Sequence, residues 1–447
     1  MEQEAQPLGS RPFRVTNRQV LAIAIPMALA YLTTPLLRLV DTAIVGRFGD
    51  VALLGGLATG AVVYDVVLTP FNFLRSGTTG LVAQAFGRGD TPEEKAVFWR
   101  ALLMAAISGL VMVLLSPLIA VIGEWFMHAD QPVAAAMDIY IRIRLISAPA
   151  ALINYALLGY FLGRGNAALG LFLELFMNGM NIAFSIVLGI SLGWGIAGVA
   201  WGTVCSEAIA MIAGMTILVG RFREIPKMSC QHTFNRIAMR RMLHLNGDIL
   251  FRSLALTGAY VLFTRQGAQL GASTLAANAV LMHVFFAGAY FLDGFASAAE
   301  QLVGRAVGAR CQPAFSRAVR LTAAWAFALS GFTSIVVFSF GERFIGAMTK
   351  AGDVRAEAVS YLPWAAFATL SGVLASQMNG VFIGAAWSRE MRNTMLISCA
   401  VFIAALFSFG QMFGNDGLWA ALHIFLLLRG ISLLSAMRRR VRTAFAG

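Results

Sequence analysis

The chain has 447 residues, of which 58% are hydrophobic and 13% charged, and its mean hydropathy is +0.74. A soluble domain carries about 25% charged residues, so this chain lacks the polar surface of one. Disordered and collagen-like classes are excluded by the same figures. The four cysteines, Cys205, Cys230, Cys311 and Cys399, lie too far apart for a disulfide-stapled secreted domain. The class is an all-α polytopic membrane protein.

Residues 1–18 are polar, with no short apolar run leading to a small-residue cleavage site, and read as a cytoplasmic tail rather than a signal peptide. A spanning helix needs about 20 mostly apolar residues. Twelve such stretches follow, near 19–46, 54–84, 97–123, 139–163, 168–192, 195–219, 240–266, 274–304, 316–340, 357–384, 393–413 and 417–436. The fifth and sixth are divided only by Gly193-Trp194-Gly195. Helical spacing throughout favours a bundle over a barrel, whose strands alternate with period two.

Basic residues outnumber acidic ones 34 to 22, and all but Lys95, Lys227 and Lys350 are arginine. In a soluble protein that excess would raise nucleic acid as a partner. Here it collects between alternate apolar stretches and at both ends: Arg11, Arg14 and Arg18; Arg88, Lys95 and Arg100; the segment 220–239; and Arg438 to Arg442. The positive-inside rule then places both termini in the cytoplasm.

The two halves repeat. Gln84-Ala85-Phe86-Gly87 recurs as Arg305-Ala306-Val307-Gly308, and Gly159-Tyr160-Phe161-Leu162-Gly163 as Gly380-Val381-Phe382-Ile383-Gly384, both at an offset of 221. Gly198-Val199-Ala200 recurs as Gly417-Leu418-Trp419 at 219. The expected organisation is a tail (1–18), an N-lobe of six helices (19–219), a basic cytoplasmic linker (220–239), a C-lobe of six helices (240–436) and a basic tail (437–447). Six helices per lobe give both lobes one orientation, related by a pseudo-two-fold along the membrane normal, as in secondary transporters.

Charges inside a membrane are costly and usually line a cavity or a proton path. The candidates are Arg38, Asp41, Asp65, Arg75 and Glu207 in the first half, and Asp248, Arg252, Asp293 and Glu300 in the second. Asp41 follows Pro26 and Pro35, each of which breaks the helical ladder and offers a bending point. Arg38, one turn earlier, makes a plain ion pair with Asp41 the competing reading. Asp248 and Arg252, at i and i+4, read as a structural pair. Asp293 and Glu300 are two turns apart on one helix face, with Arg252 as a neighbour on the preceding span; they are either a fixed clamp or a second cation-responsive site. Asn178, Asn181 and Ser185 stack on one side of the fifth span, with Asn154 and Thr203 on adjacent spans to meet them. Helix–helix hydrogen bonding is the commoner use of such a face. The 20 Met and 33 Phe suit a polyspecific greasy chamber, but they suit ordinary packing better.

Enzyme and cofactor signatures fail. There is no P-loop lysine motif. Gly193-Trp194-Gly195-Ile196-Ala197-Gly198 spells a dinucleotide fingerprint without the preceding strand that fold requires. The five histidines are scattered, with no i, i+4 pair to hold a metal. No cofactor and no metal site are expected.

The stretches PMALAYLTTPLLRLVDTAIVGRFGD (26–50) and LRSGTTGLVAQAFG (74–87) resemble the multidrug and toxic compound extrusion (MATE) family. DGFASAAEQLVGRAVGAR (293–310) and NGVFIGAAWSREMRNTM (379–395) narrow the resemblance to its DNA-damage-inducible protein F (DinF) branch. The resemblance implies a twelve-helix, two-lobed antiporter in the bacterial inner membrane. It would export cationic or amphipathic drugs against protons or, less in keeping with this sequence, Na⁺. It assigns proton coupling to Asp41, helix bending to Pro26 and a polar N-lobe network to Asn154, Asn178, Asn181 and Thr203. Where some relatives carry an aspartate four residues after the asparagine matching Asn181, this chain has Ser185, which argues against a Na⁺ site. Asp293, Glu300 and Arg252 form a second tier in the C-lobe. A monomer, no nucleic-acid partner, and as alternatives a lipid-linked-sugar flippase, a Na⁺-coupled antiporter or a passive channel complete the expectations.

Overall fold

The computed structural model describes residues 13–128, 130–223 and 233–445. Residues 1–12 of the expected N-terminal tail, 224–232 of the expected linker and 446–447 of the C-terminal tail lie outside the described residues. Every regular element that is described is helical.

In chain order these are α1 (Asn17–Gly46), α2 (Val51–Leu68), a short 3₁₀ turn (Thr69–Asn72), α3 (Phe73–Arg88), α4 (Thr91–Leu114), α5 (Ser116–Met127), α6 (Gln131–Ile146) and α7 (Ala148–Gly163). They continue as α8 (Ala167–Phe184), a π-helical extension (Ser185–Ser191), α9 (Gly195–Phe222), α10 (Arg236–Gln269), α11 (Ala272–Gly308), α12 (Gln312–Met348), α13 (Gly352–Gly384) and α14 (Ser388–Ala444).

Among the described residues nine helical stretches are long and apolar enough to cross a membrane, and α6 with α7 makes a tenth, bent by 51°. The bend has a local cause: Pro149 stands in the first turn of α7 and has no N–H for the carbonyl one turn back. Three further differences from the expected twelve spans are local. α14 runs on through both of the last two expected spans, divided only by the non-helical Gly414, whose φ of 57° a glycine adopts without strain. The seventh expected span falls on α10, which carries Asp248, Arg252 and Arg265 and lies outside the apolar group. The third is likewise broken, with Pro117 starting α5 after α4 has ended. Gly193 and Gly195, with φ of 72° and 58°, turn the chain between the π segment and α9.

The helices gather into two compact units. One, here the N-terminal unit, comprises Leu32–Ala85 and Asp90–Leu243; the other, the C-terminal unit, comprises Met1–Tyr31, Phe86–Gly89 and His244–Gly447. The division therefore falls inside α1, between Tyr31 and Leu32, and inside α10, between Leu243 and His244. Close packing explains the assignment of the α1 N-terminal half: a Cβ on Gly294 of α11 would stand 2.6 Å from the Ala24 carbonyl oxygen.

Each unit has its own apolar core. Val82, Phe98, Tyr160, Phe161 and Phe222 anchor one, and Phe263, Phe285, Phe402, Trp419 and Phe425 the other. The sequence repeat has a structural counterpart. In the N-terminal unit Gly159 and Gly163 of α7 lie against the main-chain oxygens of Arg75 and Thr79 on α3. In the C-terminal unit Gly380 and Gly384 of α13 lie against those of Ala296 and Glu300 on α11. All four partners, like the glycines, are related by the same offset of 221. No side chain fits at these crossings, which is why glycine holds all four positions.

Candidate functional site

Asp41 lies in the second half of α1 and is half-buried. Its Oδ1 is buried and makes no hydrogen bond. The carboxylate lies within electrostatic reach of Arg144 on α6 and of Ser185, the first residue of the π segment. Arg38 does not compete for it, because its Nη2 stands 2.8 Å from Asp65 Oδ2 on α2. The i, i+3 ion pair weighed from the sequence is thus replaced by a pair between helices.

Arg144 was not singled out by the sequence, yet it is the best-enclosed cation near Asp41. It is 6% exposed, and its Nη1 donates to Glu207 Oε1 at 3.2 Å and to Ser147 Oγ at 3.1 Å. Its Cζ sits 4.0 Å from the centroid of the Tyr64 ring, a cation–π contact that suits a desolvated guanidinium. Glu207, 8% exposed on α9, keeps Oε2 without a hydrogen bond.

The four polar residues assigned to one network divide into three contacts. Asn181 Nδ2 donates to Thr203 Oγ1 at 2.7 Å, and Ser185 Oγ to Asn181 Oδ1 at 3.4 Å, joining α8 to α9 beside Asp41. Asn178 Nδ2 donates at 2.7 Å to Thr33 Oγ1 on α1. Asn154 Nδ2 instead reaches the main-chain oxygen of Glu207 at 3.0 Å. All three contacts tie the Asp41 half of α1, α7 and α8 to α9 or to each other. The π-helical widening begins at Ser185, and such bulges recur at functional sites.

Pro26 and Pro35 lie inside α1, which runs unbroken from Asn17 to Gly46. Each leaves one ladder hydrogen bond unmade, so the helix is weakest there.

In the C-terminal unit Asp293 is exposed and accepts from Ser376 at 3.3 Å, whereas Glu300 is 2% exposed and packs where Gly384 crosses α11. Arg252 donates to Asn379 on α13 at 2.9 Å. Asp248 is bonded by Arg392 and Ser388, each at 2.7 Å. The expected Asp248–Arg252 pair is therefore corrected: both residues turn to other helices. Arg429 of α14, 7% exposed, is a second buried cation that the sequence reading did not single out; Asp293 and Tyr260 lie within its electrostatic reach. Among the described residues no group of three His, Cys, Asp or Glu side chains is placed to hold a metal ion.

The MatE family model matches residues 26–187 and 249–409, one segment in each half. The chain belongs to the MatE family. It is accordingly a multi-pass membrane transporter. It is 35% identical to DNA damage-inducible protein F of Escherichia coli (strain K12), over 96% of this chain and 93% of that protein. Two solved structures share its fold at 17% identity and a TM-score of 0.88. One, described as the outward-facing conformation of a multidrug resistance MATE family transporter, is matched over 99% of this chain and 100% of its own. The other is a MOP superfamily transporter from Pyrococcus furiosus whose binding pocket is described as of reverse polarity; 96% of each chain is covered. The resemblance read from the four motifs is confirmed at the level of family and branch.

Proposed function

We propose that this MatE transporter is a proton-coupled antiporter of the bacterial inner membrane, exporting cationic or amphipathic drugs by alternating access with both termini in the cytoplasm and working as a monomer without a cofactor. The observation that carries the reading is Asp41, whose buried Oδ1 is free of hydrogen bonds and therefore open to a proton. Asn178, Asn181, Thr203 and Asn154 form the polar frame that senses the charge on Asp41, and Pro26 is the compliant point of α1. Asp293 contacts drug or cation in the C-terminal unit, with Glu300 and Arg252 supporting it.

Protons are preferred over Na⁺ because Na⁺ wants several hard oxygen ligands with balancing negative charge. Ser185 supplies no charge, Thr203 Oγ1 already accepts from Asn181 Nδ2, and Asn181 Oδ1 accepts from Ser185 Oγ. The deciding experiment uses proteoliposomes: addition of drug to the purified transporter should release protons, and drug efflux should collapse when the pH gradient is removed. Efflux that persists without any gradient would mark a passive channel and end the proposal.

A second reading, flipping of lipid-linked sugars, draws on the buried cations Arg144 and Arg429 and on the reverse-polarity description of the Pyrococcus transporter. Anionic lipid headgroups suit guanidinium groups. Translocation of a fluorescent pyrophosphate-linked lipid, without drug-driven proton release, would favour it.

A further inference from the structure

Among the buried polar atoms of the N-terminal unit that make no hydrogen bond are Asp41 Oδ1, Arg144 Nε and Glu207 Oε2. A buried polar atom left unpaired is costly and calls for a reason. Here the three belong to residues that α1, α6 and α9 bring to one locality. Arg144 bonds Glu207 through Nη1 at 3.2 Å and lies within electrostatic reach of Asp41. One guanidinium thus bonds one carboxylate and lies within electrostatic reach of a second. A guanidinium keeps its proton throughout the accessible pH range. With both carboxylates ionised the group carries a formal charge of −1, and one proton brings it to zero.

We propose that Arg144 is the internal cation of the coupling site, bonding Glu207 while Asp41 holds a proton and turning to Asp41 when that proton leaves. The inference rests on the proton-coupled reading above. The proton passes from water to an Asp41 carboxylate oxygen and later returns to water on the opposite side; no other covalent bond changes. In this scheme the chain's own arginine does the work that a bound metal cation would do, which accords with the neutral Ser185 beside Asp41.

The remaining charged groups limit where Arg144 can go. Asp65 lies within its reach but is held by Arg38. Tyr64 lies under the guanidinium and Tyr140 beside it. Glu207 in turn faces Glu174 and Tyr155, and Asn154 holds its main chain on α9. Among the described residues, the acids whose electrostatics involve Arg144 include Asp41, Glu207 and Asp65, and Asp65 is already paired with Arg38.

The test measures efflux of ethidium, a fluorescent organic cation, from proteoliposomes of the full-length protein over a range of pH. Loss of the Arg144 charge lets Asp41 keep its proton to lower proton activity. Arg144→Gln should therefore move the half-maximal pH upward by about one unit, the size expected when an opposite charge is removed from a carboxylate. Glu207→Gln leaves Arg144 committed to Asp41 and should move the half-maximal pH downward. Arg144→Lys, which keeps the charge, should stay at the wild-type midpoint. Midpoints unchanged in the first two variants, or displaced in one common direction, would overturn the inference and make Arg144–Glu207 a structural clamp; the proton-coupled reading would survive. If Arg144→Gln does not fold, Glu207→Gln and Arg144→Lys decide alone: a midpoint that stays put in the former or moves in the latter sinks the proposal. A wild type without any pH dependence would end both.

Discussion

Arg38 donates to Asp65 across 2.8 Å, although Asp41 stands one turn further along its own helix. The pair is largely open to its surroundings, with side-chain exposures of 60% and 34%. Such pairs are worth about 0–1 kcal/mol, so its role is to keep Arg38 occupied rather than to hold the fold. Arg38→Gln should leave the thermal stability of the purified protein within experimental scatter and leave ethidium efflux intact. A loss of efflux equal to that of an Asp41 variant would mean that Arg38 acts on Asp41 directly.

Asp41→Asn removes the group assigned to the proton while preserving its shape and much of its polarity. The variant should insert, fold and melt close to wild type, yet confer no drug resistance and release no protons when drug is added. Growth of cells carrying it at wild-type drug tolerance would remove Asp41 from the mechanism.

Replacement of Na⁺ by choline at constant pH should leave efflux unchanged, since Asn181, Thr203 and Ser185 carry no charge and Glu207 is already bonded by Arg144. Ser185→Asp adds a carboxylate within reach of Asp41. In that variant efflux should become stimulated by Na⁺, measured as the ratio of rates in sodium and choline. A wild type that stops in choline contradicts the proton assignment.

Asp293 and Glu300 share a helix face but not an environment, and the two variants should separate. Glu300→Gln alters a fully enclosed carboxylate at the Gly384 crossing and should lower the melting temperature, at a cost of about 1–3 kcal/mol. Asp293→Asn, at an exposed site, should keep stability and reduce efflux. If both variants retain full stability and full efflux, coupling rests on the N-terminal unit.

The glycine crossings give a comparison internal to the molecule. Gly159→Ala and Gly380→Ala each place a methyl group onto a main-chain carbonyl, and overpacking of this kind costs about 1–3 kcal/mol. The two losses in melting temperature should be similar, because the two crossings are equivalent. Gly258→Ala, with nothing within 4 Å of its Cβ, should be neutral or slightly stabilising. Unequal losses would mean that the duplication no longer has one packing rule.

The apolar stretches, the repeat and the family were legible because each is written in local sequence: length of apolar run, spacing of glycines, contiguous motifs. Asp41 was legible for the same reason, as a carboxylate within a long apolar segment after two prolines. Pairing between helices was not. Arg144 lies near the start of an expected span, with no acidic partner at helical spacing to mark it; only the approach of α9 gives it Glu207. Of the polar residues Asn154, Asn178, Asn181 and Thr203, the last three are buried and Asn154 half-buried. Which of them meet depends on rotations and offsets of α7, α8 and α9 that side-chain periodicity does not encode. Asp248 and Arg252 illustrate the converse: spacing made them partners, and Ser388, Arg392 and Asn379 outbid that spacing from other helices.

α1 carries a mechanical implication of its own. From Pro26 to Asp41 the helix rises about 22 Å, at about 1.5 Å per residue, and its two ends are counted with different compact units. In the proposed mechanism, loading or unloading a single charge at one end of this rod acts at a distance, as a torque on a joint already lacking one rung of its ladder. The stiffness of the fourteen residues between them then becomes a transmission ratio: in the proposed mechanism Pro35, lying between the two, sets how much of the motion at Asp41 arrives at Pro26 and how much is absorbed on the way.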